Sequence, residues 1–272
     1  MPVASYTRAM PLDASFDFDL EADGRDADSH SVTLRHYHQL LWSNQPLPSG
    51  RLFSLEIRGS ELHHASDLGT FRLSSDAIAT SLSGQLNRRD VMRHIPSDEI
   101  RQFKTVNGQI GGRILFPANR IDRKNTINGA RGLNRKIQDR FDLTLECIRR
   151  HYLGQWSPLS EDLNRYRGFF ALFENFRGYV RFFMLQDLVS ADGTAVRFFL
   201  EFDDFQSSPL PLDRESYTRY RVSTIAFVEA RNRRISAMAE SLVLPEIVLK
   251  PLRNRAPRSA RTLPLLEILR ED

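Results

Sequence analysis

Residues 113–152 read RILFPANRIDRKNTINGARGLNRKIQDRFDLTLECIRRHY. The stretch opens as a strand, runs through a basic loop bearing Asn and Gly, and ends in an amphipathic helix. Leu133, Ile137, Phe141, Leu145, Ile148 and Tyr152 follow one another by four, four, four, three and four, which draws one apolar stripe and predicts a continuous helix from Leu133 onward. Its other side carries Arg135, Asp139, Asp142, Glu146, Arg149 and Arg150, and Gly154 supplies a stop. The strand ahead of the loop is placed over Gln109–Phe116, where Gly111 and Gly112 mark a bulge or the close approach of another backbone.

Working outward, Leu34, Tyr37, Leu40 and Leu41 predict a helix over Thr33–Trp42. Short strands are expected at Arg51–Ile57, Glu61–His64 and Thr70–Leu73, with Gly59 and Gly69 as turn residues. On the other side, Ser157-Pro158 opens a second helix with Glu161 and Asp162 in its first turn. An aromatic series from Tyr166 to Phe183, spaced mostly by three, reads as helical core that Gly168 and Gly178 divide into two pieces. Ala191-Asp192-Gly193-Thr194 turns into a strand over Ala195–Phe202, and helix returns over Tyr217–Glu240. Without a regular βαβ alternation, these elements predict an α+β fold: a single domain with a small mixed or antiparallel sheet packed against several helices. The expected boundaries are an acidic N-terminal arm at 1–30, the α+β domain at 31–244, and a basic, proline-containing tail at 245–272. Seven acids against two arginines give the arm a net charge of 2 − 7 = −5, and a short extended element is expected at Phe16–Phe18.

A chain of 272 residues with 41% hydrophobic and 10% aromatic content can build a substantial core. Its one cysteine, Cys147, has no intramolecular partner and reads as a small buried hydrophobe. The opening residues lack the features of a signal peptide, and no apolar run approaches the roughly 18 to 20 residues of a membrane span, so the expectation is a cytoplasmic protein that does not cross a membrane. Net charge is +4, and of 38 basic residues only four are lysine, leaving 38 − 4 = 34 arginines. A GC-rich coding genome produces such a ratio without selection for a ligand, so clustering carries more information than the total. Between Arg113 and Arg140 eight basic residues face two acids, 8 − 2 = +6.

That cluster is the candidate site. Asn119, Arg120, Asn128, Arg131 and Asn134 offer amide and guanidinium donors, Gly129 and Gly132 let backbone N–H groups approach a ligand, and arginine grips phosphate bidentately. The expected partner is a phosphate-bearing small molecule or a nucleic acid, bound where the loop meets a helix N-terminus. The pattern contains neither a P-loop nor a dinucleotide-binding glycine motif. The competing reading is a surface loop whose arginines pair with Asp122, Asp139 and Asp142. Asp139, Asp142 and Glu146 have the spacing to share a magnesium ion, but pairs with Arg135, Arg149 and Arg150 explain them more simply. Asp19-Leu-Glu21-Ala-Asp23-Gly24 echoes the opening of a calcium loop, yet the twelfth position is His30 rather than Glu. His36, His38 and His151 lack ligand spacing and are expected at interfaces or on the surface. No metal and no cofactor is expected, and whether the chain is an enzyme stays open.

Two alternatives accompany this reading. One is a non-enzymatic interaction or homodimerisation module that would use the aromatic series between Tyr166 and Phe183 and the oppositely charged ends. The other is an enzyme similar to ADP-ribosyl transferases, in which strand-borne His64 stands ahead of a second strand carrying Ser74 and Ser75; a later glutamate cannot be picked out.

The tracts Phe116-Pro-x-Asn119-x-Ile121, Thr126-Ile-Asn-Gly-Ala-Arg-Gly132, Asp139-Arg-Phe-Asp-Leu-Thr-Leu-Glu-Cys-Ile-Arg-Arg150, Phe176-Arg-Gly-Tyr-Val180 and Glu229-Ala-Arg-Asn-Arg-Arg-Ile235 resemble a family of uncharacterised bacterial proteins of about this length. The resemblance runs from about Ser15 to Ile235. It implies a stand-alone bacterial cytosolic protein and brings no catalytic residue with it.

Overall fold

The computed structural model describes residues 12–43, 45–84 and 89–240. Four strands, β1 (Glu56–Arg58), β2 (Glu61–Ser66), β3 (Gly69–Ala77) and β4 (Arg113–Pro117), form one antiparallel sheet in the order β1-β2-β3-β4. The first three make a meander whose turns fall at Gly59 and Gly69, both at positive φ. The last pairing is long-range, from Leu73 opposite Pro117 to Ala77 opposite Arg113, and β4 is buried along its whole length. Side chains alternate across a strand, so β3 serves two compartments. Ser75 meets His38 on one face, while Ser74 meets Asn128 and Asp76 meets Arg131 on the other.

Eleven α-helices accompany the sheet among the described residues: α1 (Phe18–Glu21), α2 (Ala27–His30), α3 (Val32–Ser43), α4 (Arg89–Met92), α5 (Ser97–Asn107), α6 (Ile127–Leu133), α7 (Phe141–Tyr152), α8 (Ser160–Arg165), α9 (Arg167–Ala171), α10 (Phe176–Phe182) and α11 (Arg214–Glu240). One contiguous hydrophobic cluster runs from Ala14 to Ile235, so this is a single α+β body, as the sequence predicts.

Several element boundaries differ from expectation. The helix drawn from Leu133 to Tyr152 is two helices, because Gln138 and Asp139 adopt left-handed backbone (φ 43° and 62°) and turn the chain between α6 and α7. Leu133 is 72% exposed, whereas Ile137 is buried inside the turn and so preserves the periodicity without being helical. The strand expected over Gln109–Phe116 begins only at Arg113, after a 3-10 turn at Ile110–Gly112. A Cβ on Gly111 would collide with the Val228 carbonyl and the Asn232 side chain of α11, and one on Gly112 with the Asn107 backbone at the end of α5, so these are the close neighbours that the two glycines announced.

Residues 12–30 do not stand off as a solvated arm. Phe18 and Ala22 are fully buried, and Asp17 caps α1 in place of an extended element at Phe16–Phe18. The acids are used internally: Asp19 binds Arg113 at 2.5 Å, and Glu21 accepts from Ser31 and Thr33. The aromatic series breaks at Glu174 and Asn175 rather than at its glycines, since Glu174 is left-handed and Asn175 caps α10 through the Gly178 amide at 2.9 Å. Ala195–Phe202 contributes a single bridge, Val196 to Val189, instead of a strand. The expected tail, 245–272, lies outside the described residues.

Candidate functional site

The loop from Ala118 to Thr126 leaves β4 and is held from beneath at several points. Arg72 donates its backbone N–H to Asn119 Oδ1 at 2.5 Å and its guanidinium to the Ala118 carbonyl at 2.8 Å. The Tyr166 hydroxyl donates to the Asn119 carbonyl at 2.7 Å, and Arg165 to the Asn125 carbonyl at 3.0 Å. Asp122 and Arg123 are both left-handed, with φ 54° and 58°. These anchors hold both ends of the loop, and Arg120, Arg123 and Lys124 between them are exposed.

The basic residues of 113–140 fall into two sets. Arg113 is bound to Asp19, Arg140 to Asp142 and the Pro209 carbonyl, Lys136 to the Gln206 carbonyl, and Arg131 to a network of its own. Arg120, Arg123, Lys124 and Arg135 are exposed, and their side chains make no hydrogen bond or ion pair among the described residues. The second set is the free charge.

The five residues expected to grip phosphate are not brought together. Arg131 is 0% exposed: Nη1 binds Asp76 and the Ala77 carbonyl, Nη2 the Asp139 carbonyl at 2.8 Å, and Nε the Thr144 hydroxyl at 3.2 Å. Its guanidinium also lies over the Phe116 ring at 5.9 Å. Burial raises the Asp139 carboxyl above its usual range, with the nearby Arg131 opposing. Asn119 accepts from Arg72, Asn128 donates to Ser74 at 3.1 Å, and Asn134 donates to the Pro158 carbonyl at 3.0 Å. Of the five, Asn119 and Arg120 are exposed, and Arg120 is the one whose whole side chain is left without a hydrogen bond or ion pair among the described residues. Nor is there a helix-terminus anion site, because α6 has only seven residues and Thr126 Oγ1 takes the Gly129 amide at 3.3 Å.

On the opposite face of β3 lies a cluster that resembles a catalytic dyad in outline. His38 Nε2 is 2.8 Å from Ser75 Oγ, the Ser75 amide donates to Asp28 at 2.6 Å, and Trp42 Nε1 donates to His38 Nδ1 at 3.0 Å. An indole N–H can only donate, so Nδ1 is the acceptor and the proton sits on Nε2, facing the serine. That tautomer donates to Ser75 and cannot take its proton, which rules the pair out as an activated nucleophile. Burial, with Arg231 and Arg113 adding to it, brings His38 down to about 3, and burial pushes Asp28 up to about 6. Sequence reasoning missed this buried group by expecting His38 near the surface. The signal was present in α3, where His38 stands four residues after Leu34 and four before Trp42, on the buried stripe.

The remaining acids are structural. Glu146 receives Arg149 and Arg150 at 2.7 Å each, and buried Asp142 holds both Arg140 and the Phe199 amide. No group of three His, Cys, Asp or Glu side chains with metal-binding geometry occurs among the described residues. No helix among them is long and apolar enough to cross a membrane. The cleft at His64 includes no residue of 116–135, and Ser75 and Arg131 act on opposite faces of β3. Among the described residues, then, the cleft at His64 is not joined to the basic loop. The aromatic residues from Tyr166 to Phe183 are buried, so they fill the core rather than offer a surface to a partner.

A family model described as a family of unknown function, DUF6994, matches residues 12–235, well over half of the chain. The chain belongs to DUF6994. No curated protein and no solved structure matches it. Within this DUF6994 chain the quoted tracts tie distant elements to one another. In Glu229–Ile235, Arg231 is 0% exposed and donates to the carbonyls of Phe183, Gly111 and Arg113 at 2.9, 2.9 and 2.6 Å, while Asn232 accepts from the Gly111 amide at 2.7 Å. In Thr126–Gly132 Arg131 does the same by binding Asp76, and in Asp139–Arg150 Arg140 donates to the Pro209 carbonyl while Asp142 accepts from the Phe199 amide.

Proposed function

We propose that this protein binds a phosphate-bearing polymer, a nucleic acid, through the crest of the 118–126 loop. The observation that carries the reading is the set of exposed, unpaired cations Arg120, Arg123 and Lys124, with Asp122 as the one acid among them and Arg135 on the neighbouring turn. Their charges are presented on a loop with fixed anchors, which lowers the ordering cost of binding. An exposed set of cations fits the repeating charge of a backbone better than an enclosed mononucleotide, since binding by counterion release needs accessible cations and no cavity. Asn119, Asn128, Arg131 and Asn134 then serve as the scaffold beneath the contact surface.

The test replaces Arg120, Arg123 and Lys124 together with alanine and measures affinity for a short RNA and a short DNA duplex across salt concentrations. Each lost phosphate contact reduces the slope of log K against log salt by about 0.7 to 0.9, so a total reduction of about 2 to 3 is expected. Thermal stability should stay within a few degrees of the parent, because these side chains are exposed and make no hydrogen bond or ion pair among the described residues. A parent protein that shows no salt-dependent binding, or a variant that keeps the full slope, would end this reading.

A further inference from the structure

A second site of different chemistry lies at the far side of the sheet. Strand β2 carries His64, whose Nδ1 is 2.9 Å from the Ser54 carbonyl. A carbonyl only accepts, so Nδ1 bears the hydrogen and Nε2 is left as a bare lone pair. The ring is locked in place: Phe53 stacks on it at 4.2 Å with planes 16° apart, and Phe71 lies parallel at 6.4 Å. His64 is 1% exposed, and its Nε2 is buried with no hydrogen-bond partner. Burial holds its pKa below the ordinary imidazole value, the Ser54 bond opposing, so the ring stays a neutral acceptor. An orphaned acceptor this deep is costly unless something donates to it.

That residue lines a cleft of about 520 Å³, within the size range of small-molecule sites. Leu47, Leu52, Leu68 and Leu172 supply apolar wall. Arg51 and Asp67 at the rim are paired with each other, which leaves Glu174 as the uncompensated charge. His64 lines the cleft, and with one ring corner on Ser54 and the ring faces against phenylalanines, the edge bearing Nε2 is the one left without a partner. We propose that this cleft binds a small, uncharged organic molecule with an apolar skeleton and one O–H or N–H donor, the donor bonding to His64 Nε2. Anions are disfavoured, because the lining holds no free cation and Glu174 repels them. The site thus differs in ligand class from the phosphate contacts of the loop, and neither depends on the other.

Phenol is the minimal probe, with toluene as the same ring lacking the donor and benzoate as the anion. The full chain, labelled with ¹⁵N in its histidines, is titrated with each while the imidazole nitrogens are followed by NMR. Phenol should move the unprotonated Nε2 signal of His64 saturably, toluene should bind about tenfold more weakly or worse without moving it, and benzoate should be excluded. The signal is assigned by its disappearance in His64→Phe, which should also lose the preference for phenol over toluene. If phenol leaves every imidazole nitrogen unmoved, or if phenol and toluene bind alike, the proposal is overturned. The comparison of probes on the parent protein decides the matter even if the variant fails to fold.

Discussion

Every N–H of a buried guanidinium needs an acceptor, and Arg131 shows how far a side chain can be drawn from the role its neighbours suggest. Asp76, the carbonyls of Ala77 and Asp139, and the Thr144 hydroxyl surround it, so α6, β3 and α7 meet on this one residue. Arg131→Ala would strand the Asp76 carboxylate and empty a fully buried volume. A loss of about 3 to 5 kcal/mol in urea unfolding is expected, against less than about 0.5 kcal/mol for Arg120→Ala on the exposed crest. Equal effects would contradict this division of labour. The two arginines look alike as members of a basic run. What separates them in the sequence is spacing: Arg131 is four residues beyond Ile127 and next to Ala130, both buried, so it shares the inner face of a helix. The cluster as a set of basic residues was legible, and the residues that carry free charge within it were not, because pairing partners such as Asp76 come from strands remote in sequence.

Elements with uninterrupted periodicity and ordinary stops were readable: α3, α11, β2 and β3 stand close to where spacing and turn glycines put them, whereas β1 is only Glu56–Arg58 where a strand is expected over Arg51–Ile57. The turn between α6 and α7 was not, and the reason is specific. Ile137 is buried whether it lies on a helix or in a turn, so an apolar stripe passes through a break that only the backbone angles of Gln138 and Asp139 reveal. Glycines inside α9 and α10 misled in the opposite direction, as they allow close packing rather than end a helix. A Cβ at Gly178 would fall on the Phe173 carbonyl, and one at Gly168 would press on that of Leu68. On an exposed helix Gly→Ala gains about 1 kcal/mol. Gly178→Ala should instead destabilise by about 2 kcal/mol or more, since α10 must shift away from the preceding turn. Calorimetry of the purified variant checks the sign, and a raised melting temperature would show that the turn can yield.

At the scale of the whole molecule, buried His38 and half-buried Asp28 on the α3 side of the sheet shape stability against pH in opposite senses. Asp28 is raised from 3.8 to about 6, first by burial, with its hydrogen bond from the Ser75 amide and Arg35 opposing and Asp26 and Asp76 reinforcing. Its contribution is fully present below pH 3.8 and is lost as pH rises through about 6. His38 is lowered from 6.5 to about 3, so its contribution is present above pH 6.5 and is lost as pH falls toward 3. Between roughly pH 4 and 6 the two slopes oppose each other. Asp28→Asn keeps an acceptor for the Ser75 amide and removes the buried charge. The variant should be more stable than the parent at pH 7, by about 1 to 3 kcal/mol, with the difference closing toward pH 4. Urea unfolding at both pH values measures it, and parallel profiles for the two proteins would refute the assignment.

The placement of α11 governs the order in which the chain can mature during synthesis. Arg231 reaches back 120 residues to the Gly111 carbonyl, and Tyr217 reaches back 136 to that of Ser81. These are closures of high sequence separation, the slow kind. Until α11 has left the ribosome, the 3-10 turn ahead of β4 lacks the partners that satisfy its amide and carbonyls, and the growing chain must wait as an unfinished core for this helix to arrive.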